Sequence, residues 1–234
     1  MNMIEAPPTD STAQRIEQAA LELFYTQGFN ATTVRQITES CGLTPGALYN
    51  HYPSKDVLLQ SIVVRSQQRL GEGLDRALET THNADALDRL HNLVSVFAAF
   101  HTQYGRESLV ANSEWRSIQE PVQSEVLAAH RQVRDRFEMV IADGCKAGVF
   151  HLPPPGGEQT LKVTVLAIIN IVLRIAAWYE PSGQMSADTV AELHAGLAVA
   201  MLTGRHGQRC EIATDRPPAS SSSRLASVVA RPIN

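Results

Sequence analysis

Apolar positions recur along this chain at intervals of three and four, the period of helices that turn one face to a core. Ile16, Ala19, Ala20, Leu23 and Phe24 make the first such face and predict a helix from about Thr12 to Gln27, stopped by Gly28. Thr33-Val34-Arg35-Gln36 reads as a capping box, with Gln36 three residues after the capping Thr33. It opens a short second helix that ends near Cys41-Gly42. Thr44 is expected to cap a third helix, with Pro45 at the first position, where its missing N–H costs nothing. That helix ends near His51, before Pro53. Ser54 caps a fourth, which begins at Lys55 and runs to about Thr80.

Asn83 to Asp85 predicts a break. Helical periodicity then resumes over about 86–104, 107–119, 122–147, 158–179 and 187–205. The clearest stripe is Val122, Val126, Val133, Phe137, Val140 and Ile141, with Gly144 and Gly148 marking its end. His151 to Gly157, rich in Pro and Gly, is a loop. Val190, Leu193, Leu197 and Met201 form one stripe on the last helix, and the helix before it is apolar nearly all round. No alternating strand pattern interrupts the series. The expectation is an all-α fold of about nine helices. Its N-terminal helix-turn-helix domain is expected at 11–58, the fourth helix serving as connector, and a second helical domain at 59–206. The ends, 1–10 and 207–234, are polar and rich in Pro or Ser, and are expected to be disordered.

Composition adds exclusions. The 234 residues carry a net charge of -4, so any nucleic-acid binding must use locally placed cations. Three cysteines, Cys41, Cys145 and Cys210, are widely spaced and lack a CxxC pattern, which speaks against a disulfide framework or structural zinc. The histidines His91, His101 and His130 share no metal-ligand spacing, so neither metal nor other cofactor is expected. The first ten residues have no basic or apolar leader pattern, and the apolar run Val163 to Trp178 is short for a membrane span and carries Asn170 and Arg174. A cytoplasmic protein without membrane contact is the expectation.

Two short helices joined by a turn at Cys41-Gly42-Leu43 have the spacing of a helix-turn-helix. Gly42 supplies the positive φ the turn needs. The third helix begins with small residues, Thr44, Gly46 and Ala47, which allow close approach to DNA. Tyr49, Asn50, His51 and Tyr52 follow, and such groups touch phosphates or base edges. Leu48, with Val34, Ile37 and Leu43, faces inward. Lys55 opposes the dipole of its own helix and fits better if it meets a phosphate. Thr33 and Arg35 sit similarly. The segment is nearly neutral: Arg15, Arg35, Lys55, Arg65 and Arg69 are set against Glu17, Glu22, Glu39 and Asp56.

The series Arg15-Ile16, Ala19-Ala20, Leu23-Phe24, Gly28-Phe29, Thr32-Thr33-Val34, Ile37, Gly42-Leu43, Gly46-Ala47-Leu48-Tyr49, His51-Tyr52, Ser54-Lys55 and Leu58 resembles the DNA-binding domain of the TetR family of bacterial regulators. Cys41 stands where that family usually has alanine. The resemblance implies a two-fold homodimer on a palindromic duplex operator, a C-terminal effector pocket and a four-helix dimer interface. Ligand would move the fourth helix and release DNA, so the chain would be a repressor and not an enzyme. It also implies that Thr33, Tyr49, His51 and Lys55 bind phosphates, while Arg35, Thr44, Pro45, Ala47 and Asn50 lie near bases. Asn50 is the expected discriminator. No nucleotide loop, GxSxG or HExxH motif supports an enzyme. A helical interaction or enzyme module without DNA-binding activity is the alternative; an interaction module would have no use for Tyr49, His51 and Lys55 on one surface.

The run Ala177 to Gly183, followed by Ser186-Ala187, looks like a subgroup of that family that governs fatty-acid and steroid degradation and responds to acyl-CoA thioesters. Phe97, Phe100, His101, Tyr104 and Trp115 are candidate pocket-lining residues, with core packing as the alternative for each. Asn170 and Arg174 stand one turn apart on an apolar helix. A buried charge needs a partner. Either Arg174 pairs with a carboxylate at a dimer interface, or the two residues meet a polar head group of the effector.

Overall fold

The computed structural model describes residues 11–204. The expected disordered ends, 1–10 and 207–234, lie outside the described residues. Ten α-helices and one 3₁₀ turn make up the described part, and no strand occurs among these residues. The first four are α1 (Thr12–Gln27), α2 (Val34–Ser40), α3 (Pro45–Tyr49) and α4 (Lys55–Thr80). Then come α5 (Ala86–Gln103), α6 (Gly105–Glu114), the turn η1 (Trp115–Ser117) and α7 (Val122–Lys146). The last are α8 (Gly157–Leu173), α9 (Ile175–Trp178) and α10 (Ala187–Thr203). The single helix expected over 158–179 is therefore two, split at Arg174.

Local chemistry sets most of the ends. Ser11 and Thr33 each complete a capping box, with Gln14 and Gln36. Ser54, Asp85 and Ser186 accept from the backbone N–H three residues on. Thr44 does not: it has extended backbone but no side-chain capping bond, so Pro45 alone starts α3. The α2–α3 turn is a Schellman motif. The N–H of Leu43 donates to Thr38 O (2.8 Å), that of Gly42 to Glu39 O (3.2 Å), and Gly42 has φ +66°. The same motif ends α7, with Gly148 at φ +71°. Gly144, expected to mark that end, lies inside α7 instead. A Cβ there would stand 2.0 Å from the Phe150 ring.

Two apolar cores result. The first gathers Ile16, Ala20, Phe24, Ile37, Leu48, Leu58 and Ile62, and it continues into Val110, Ala111, Ile118 and Val126 of α6 to α7. The second joins Leu70, Leu74, Leu93, Phe97, Phe137, Ile141, Ile168, Val172 and Ala195. Helix α4 contributes to both, so it links the helix-turn-helix mechanically to the larger bundle. The stripe predicted on α10 is split: Val190 is buried, while Leu193 and Leu197 are 52% and 56% exposed. Alanines 191, 195 and 198 complete the inward face.

Candidate DNA-binding surface and ligand cavity

Helix α3 presents Thr44, Pro45, Gly46, Tyr49 and Asn50 to solvent, and His51 follows, also exposed. Tyr49 is 53% exposed although α3 holds itself in place through the fully buried Leu48. An exposed aromatic with a hydroxyl tip suits contact with a sugar–phosphate backbone. Ala47 is half-buried. Arg35 is exposed and ion-paired to Glu39 one turn away (2.6 Å), a bond of the screened surface type that an incoming phosphate can replace. Thr33 spends its hydroxyl on its own helix: it accepts from Gln36 N (3.2 Å) and donates to Gln36 Oε1 (2.9 Å).

Two residues expected at DNA hold the domain together from within. The Lys55 ammonium donates to Phe29 O (2.7 Å) and Thr32 O (2.6 Å) and lies 4.2 Å above the Phe29 ring. It ties the start of α4 to the α1–α2 connection, and at most one of its three N–H groups is left for a phosphate. Tyr52 is half-buried and donates to Glu17 Oε1 (2.8 Å). Burial, and then the bond to Glu17, raises its pKa to about 12.

Glu17 is the residue that sequence reasoning missed. Its carboxylate is buried on α1 and accepts from Tyr52, from Ser61 Oγ (3.0 Å) and from the Arg65 guanidinium. The available signal was a carboxylate placed between Ile16 and Ala20 on an apolar face. Arg15 was also missed; its guanidinium donates to Cys41 O at the end of α2. The cations counted in this segment are thus mostly committed: Arg15 and Lys55 to carbonyls, Arg35, Arg65 and Arg69 to carboxylates.

Behind α4 lies a cavity of about 610 Å³. Phe97, Phe100, His101, Trp115, Asn170 and Arg174 of the predicted pocket residues line it. Tyr104 does not. Its ring lies under the Arg69 guanidinium (4.4 Å), which pairs with Glu107, and it borders a separate cleft with Glu17 and Arg65. Arg174 is exposed, and Asn170 donates back to Leu166 O (2.7 Å). Six further basic or amide residues join the lining: Gln67, Asn112, Arg116, His130, Arg131 and Arg134. No carboxylate lines the cavity, and the four arginines have no ion pair among the described residues. Arg131 and Arg134 stand three apart on α7, a spacing readable in the sequence, but their convergence with Arg116 and Arg174 is not. A cavity with apolar walls and cationic edges suits an amphipathic anion.

His101 is 1% exposed, edge-on to Phe97 and Phe100, and its Nδ1 lies 2.6 Å from Ser108 Oγ. Burial pushes its pKa down to about 4. The unfolded value is near 6.5, so this group's contribution to stability is complete above that pH and is lost as pH falls from about 6.5 to about 4. Urea unfolding at pH 7 and pH 4 should show the wild type losing about 2–3 kcal/mol more than His101→Phe. Equal losses would mean that the ring is not held neutral by the fold.

Both late helices turn apolar side chains outward. Val163 is 66% exposed, Leu166 41% and Ile171 44% on α8, against 52% and 56% for Leu193 and Leu197 on α10. Taken together, Gly157–Trp178 is long and apolar enough to cross a membrane, but it breaks at Arg174 and carries Lys162 and Asn170. Stripes of exposed apolar side chains are the kind of surface that interfaces use.

A helix-turn-helix with an exposed third helix, joined through one long helix to a bundle with a ligand-sized cavity, is the architecture of a transcriptional regulator. Sequence comparison gives the family. The pattern for "Bacterial regulatory proteins, tetR family" matches residues 16–62, and that for "Tetracyclin repressor-like, C-terminal domain" matches 83–202. The chain belongs to the TetR family. It is 31% identical to the regulator UidR of Escherichia coli K12 over 117 residues, 50% of this chain and 56% of UidR, so that match spans little more than half the relative. It is 26% identical to the repressor KstR2 of Rhodococcus jostii over 219 residues, 86% of this chain and 98% of KstR2. Among solved structures, AibR in complex with isovaleryl coenzyme A and operator DNA superposes with a TM-score of 0.67 at 22% identity, over 82% of this chain and 98% of AibR.

Proposed function

We propose that this chain is a cytoplasmic repressor that binds a palindromic duplex operator as a homodimer and releases it when an amphipathic anion, of the acyl-CoA thioester class, fills the cavity behind α4. The observation that carries this reading is the shared helix. Ser66, Gln67 and Leu70 of α4 line the cavity, while Ser61 and Arg65 of the same helix grip Glu17 of the helix-turn-helix. A ligand that displaces α4 therefore moves α1, and with it α3. The apolar cavity takes the acyl part, and the four arginines meet the phosphates or the carboxylate. That AibR is solved with isovaleryl coenzyme A and DNA supports the class of ligand. Thr33, Arg35, Thr44, Pro45, Gly46, Ala47, Tyr49, Asn50 and His51 form the proposed contact surface, with Lys55 and Tyr52 supporting it from behind.

The test starts from duplexes selected out of a random-sequence pool by the full-length protein. The expected product is a two-fold symmetric site. Tyr49→Ala should bind it about tenfold more weakly at fixed salt, and Asn50→Ala should relax base preference at one position of each half-site. Affinity should fall with added salt, with a shallow slope because few cations are free. Failure to enrich any symmetric sequence, or wild-type affinity in Tyr49→Ala, would overturn the surface. Lys55→Ala is a poor probe here, because it removes a clamp on Phe29 and Thr32 along with any phosphate contact.

A further inference from the structure

Two residues that line the cavity, His101 and His130, each keep a buried ring nitrogen, Nε2, without a hydrogen-bond partner among the described residues. For His101, the neighbours determine what that nitrogen can do. Asn112 Nδ2, which can only donate, points to Ser108 Oγ at 3.4 Å. The Ser108 hydroxyl proton then needs an acceptor, and the one within reach is His101 Nδ1, at 2.6 Å. An Nδ1 that accepts is unprotonated, so the proton of a neutral imidazole sits on Nε2. The ring is kept neutral by its surroundings: no carboxylate lines the cavity, and the charged groups that do line it are Arg116, Arg131, Arg134 and Arg174, with His130 as the other imidazole. The chain of donors Asn112, Ser108, His101 thus ends in a buried N–H on a ring packed against Phe97 and Phe100. A buried donor without an acceptor is costly, and a ligand oxygen that supplies one gains what the free protein forgoes.

We propose that His101 is a specificity-determining residue of the effector site, whose Nε2–H reads a carbonyl oxygen carried within the apolar body of the ligand. The preferred effectors are then oxo-substituted acyl compounds with an anionic head, not plain saturated chains. This rests on the reading of the cavity as an effector site. The selection works by difference. A saturated chain fills the same volume but leaves Nε2–H unpaired, whereas a keto group at the right depth pairs it without adding a charge. A site built around such a donor discriminates more strongly than one that only measures chain length.

The probes are decanoyl-CoA and its 3-, 5-, 7- and 9-oxo counterparts, titrated calorimetrically into the full-length protein and scored for release of the selected duplex. At least one oxo isomer should bind the wild type tenfold or more tightly than decanoyl-CoA. His101→Phe, which puts an apolar ring in place of the imidazole, should lose the preference, binding plain and oxo chains with a ratio near one. Ser108→Ala should weaken the preference, since it no longer holds the proton on Nε2. Long-range proton–nitrogen NMR of the unliganded wild type should show His101 protonated on Nε2 only. Equal binding of plain and oxo chains, a preference that survives in His101→Phe, or a proton on Nδ1 overturns the proposal. If decanoyl-CoA alone binds and releases DNA, the effector reading stands and this one falls. If no thioester binds at all, both fall.

Discussion

The double variant Leu193→Lys, Leu197→Lys is expected to sediment as a monomer and to bind operator more than about 100-fold more weakly than the wild type, the scale on which two linked half-site contacts exceed one. Both leucines are more than half exposed on α10, whose other side is sealed by Val190, Ala191, Ala195 and Ala198. The lysines therefore meet water in the single chain and leave its core untouched. Helical content and the unfolding midpoint at low protein concentration should change little. In a dimer that buries the exposed faces of α8 and α10, the same lysines would lie against Val163, Leu166, Ile171 and their symmetry mates. Desolvating an unpaired ammonium there costs more than the leucine contacts returned. A stable interface removes on the order of 800 Å² from each partner, and these two helices are where apolar surface is available for it. A variant that remains dimeric with full affinity would place the interface elsewhere.

Glu17→Ala is expected to cost about 2–3 kcal/mol of folding stability, below the range for a fully buried ion pair because the Arg65 side chain is 42% exposed. The loss strands the Arg65 guanidinium, the Tyr52 hydroxyl and the Ser61 hydroxyl at once. Glu17→Gln keeps an acceptor for the two hydroxyls and loses the charge pairing with Arg65, so it should cost roughly half as much. Ultraviolet titration gives an independent readout. Burial and Glu17 together hold Tyr52 at a pKa of about 12, and removing the carboxylate should bring it down. The functional consequence follows from the same contacts. With α1 released from α4, an effector that still binds the cavity should lose part of its power to release DNA. An unfolding midpoint equal to that of the wild type would show that the three donors find water without penalty, and that Glu17 is not the link.

The residues behind these two predictions differ in how readable they are from sequence. Helix starts and stops were legible because caps are local: Ser11 with Gln14, Thr33 with Gln36 and Ser54 with Val57 each act within four residues. Thr44 is the exception, where Pro45 suffices and the hydroxyl forms no cap. Part of the cavity lining was legible too. Phe97, Phe100, His101, Trp115, Asn170 and Arg174 line one cavity, because aromatic and polar residues set into apolar helix faces have few other places to go. Tyr104 escaped, since Arg69 of α4 offers its ring a better seat than the cavity does.

What the sequence determined by itself is the all-helical class, the order and approximate ends of its helices, the turn at Gly42 and the exposed face of α3. All of these follow from periods and contacts between near neighbours along the chain. What only the tertiary structure decided is who meets whom across long separations. Lys55 turns inward to Phe29 and Thr32, Glu17 gathers Tyr52, Ser61 and Arg65, Ser108 orients His101, and arginines from η1, α7 and the α8–α9 break converge on one cavity. The period of α10 likewise cannot tell its inward alanines from its outward leucines, because both faces are apolar. Packing against α5 settles which is core, and leaves Leu193 and Leu197 exposed.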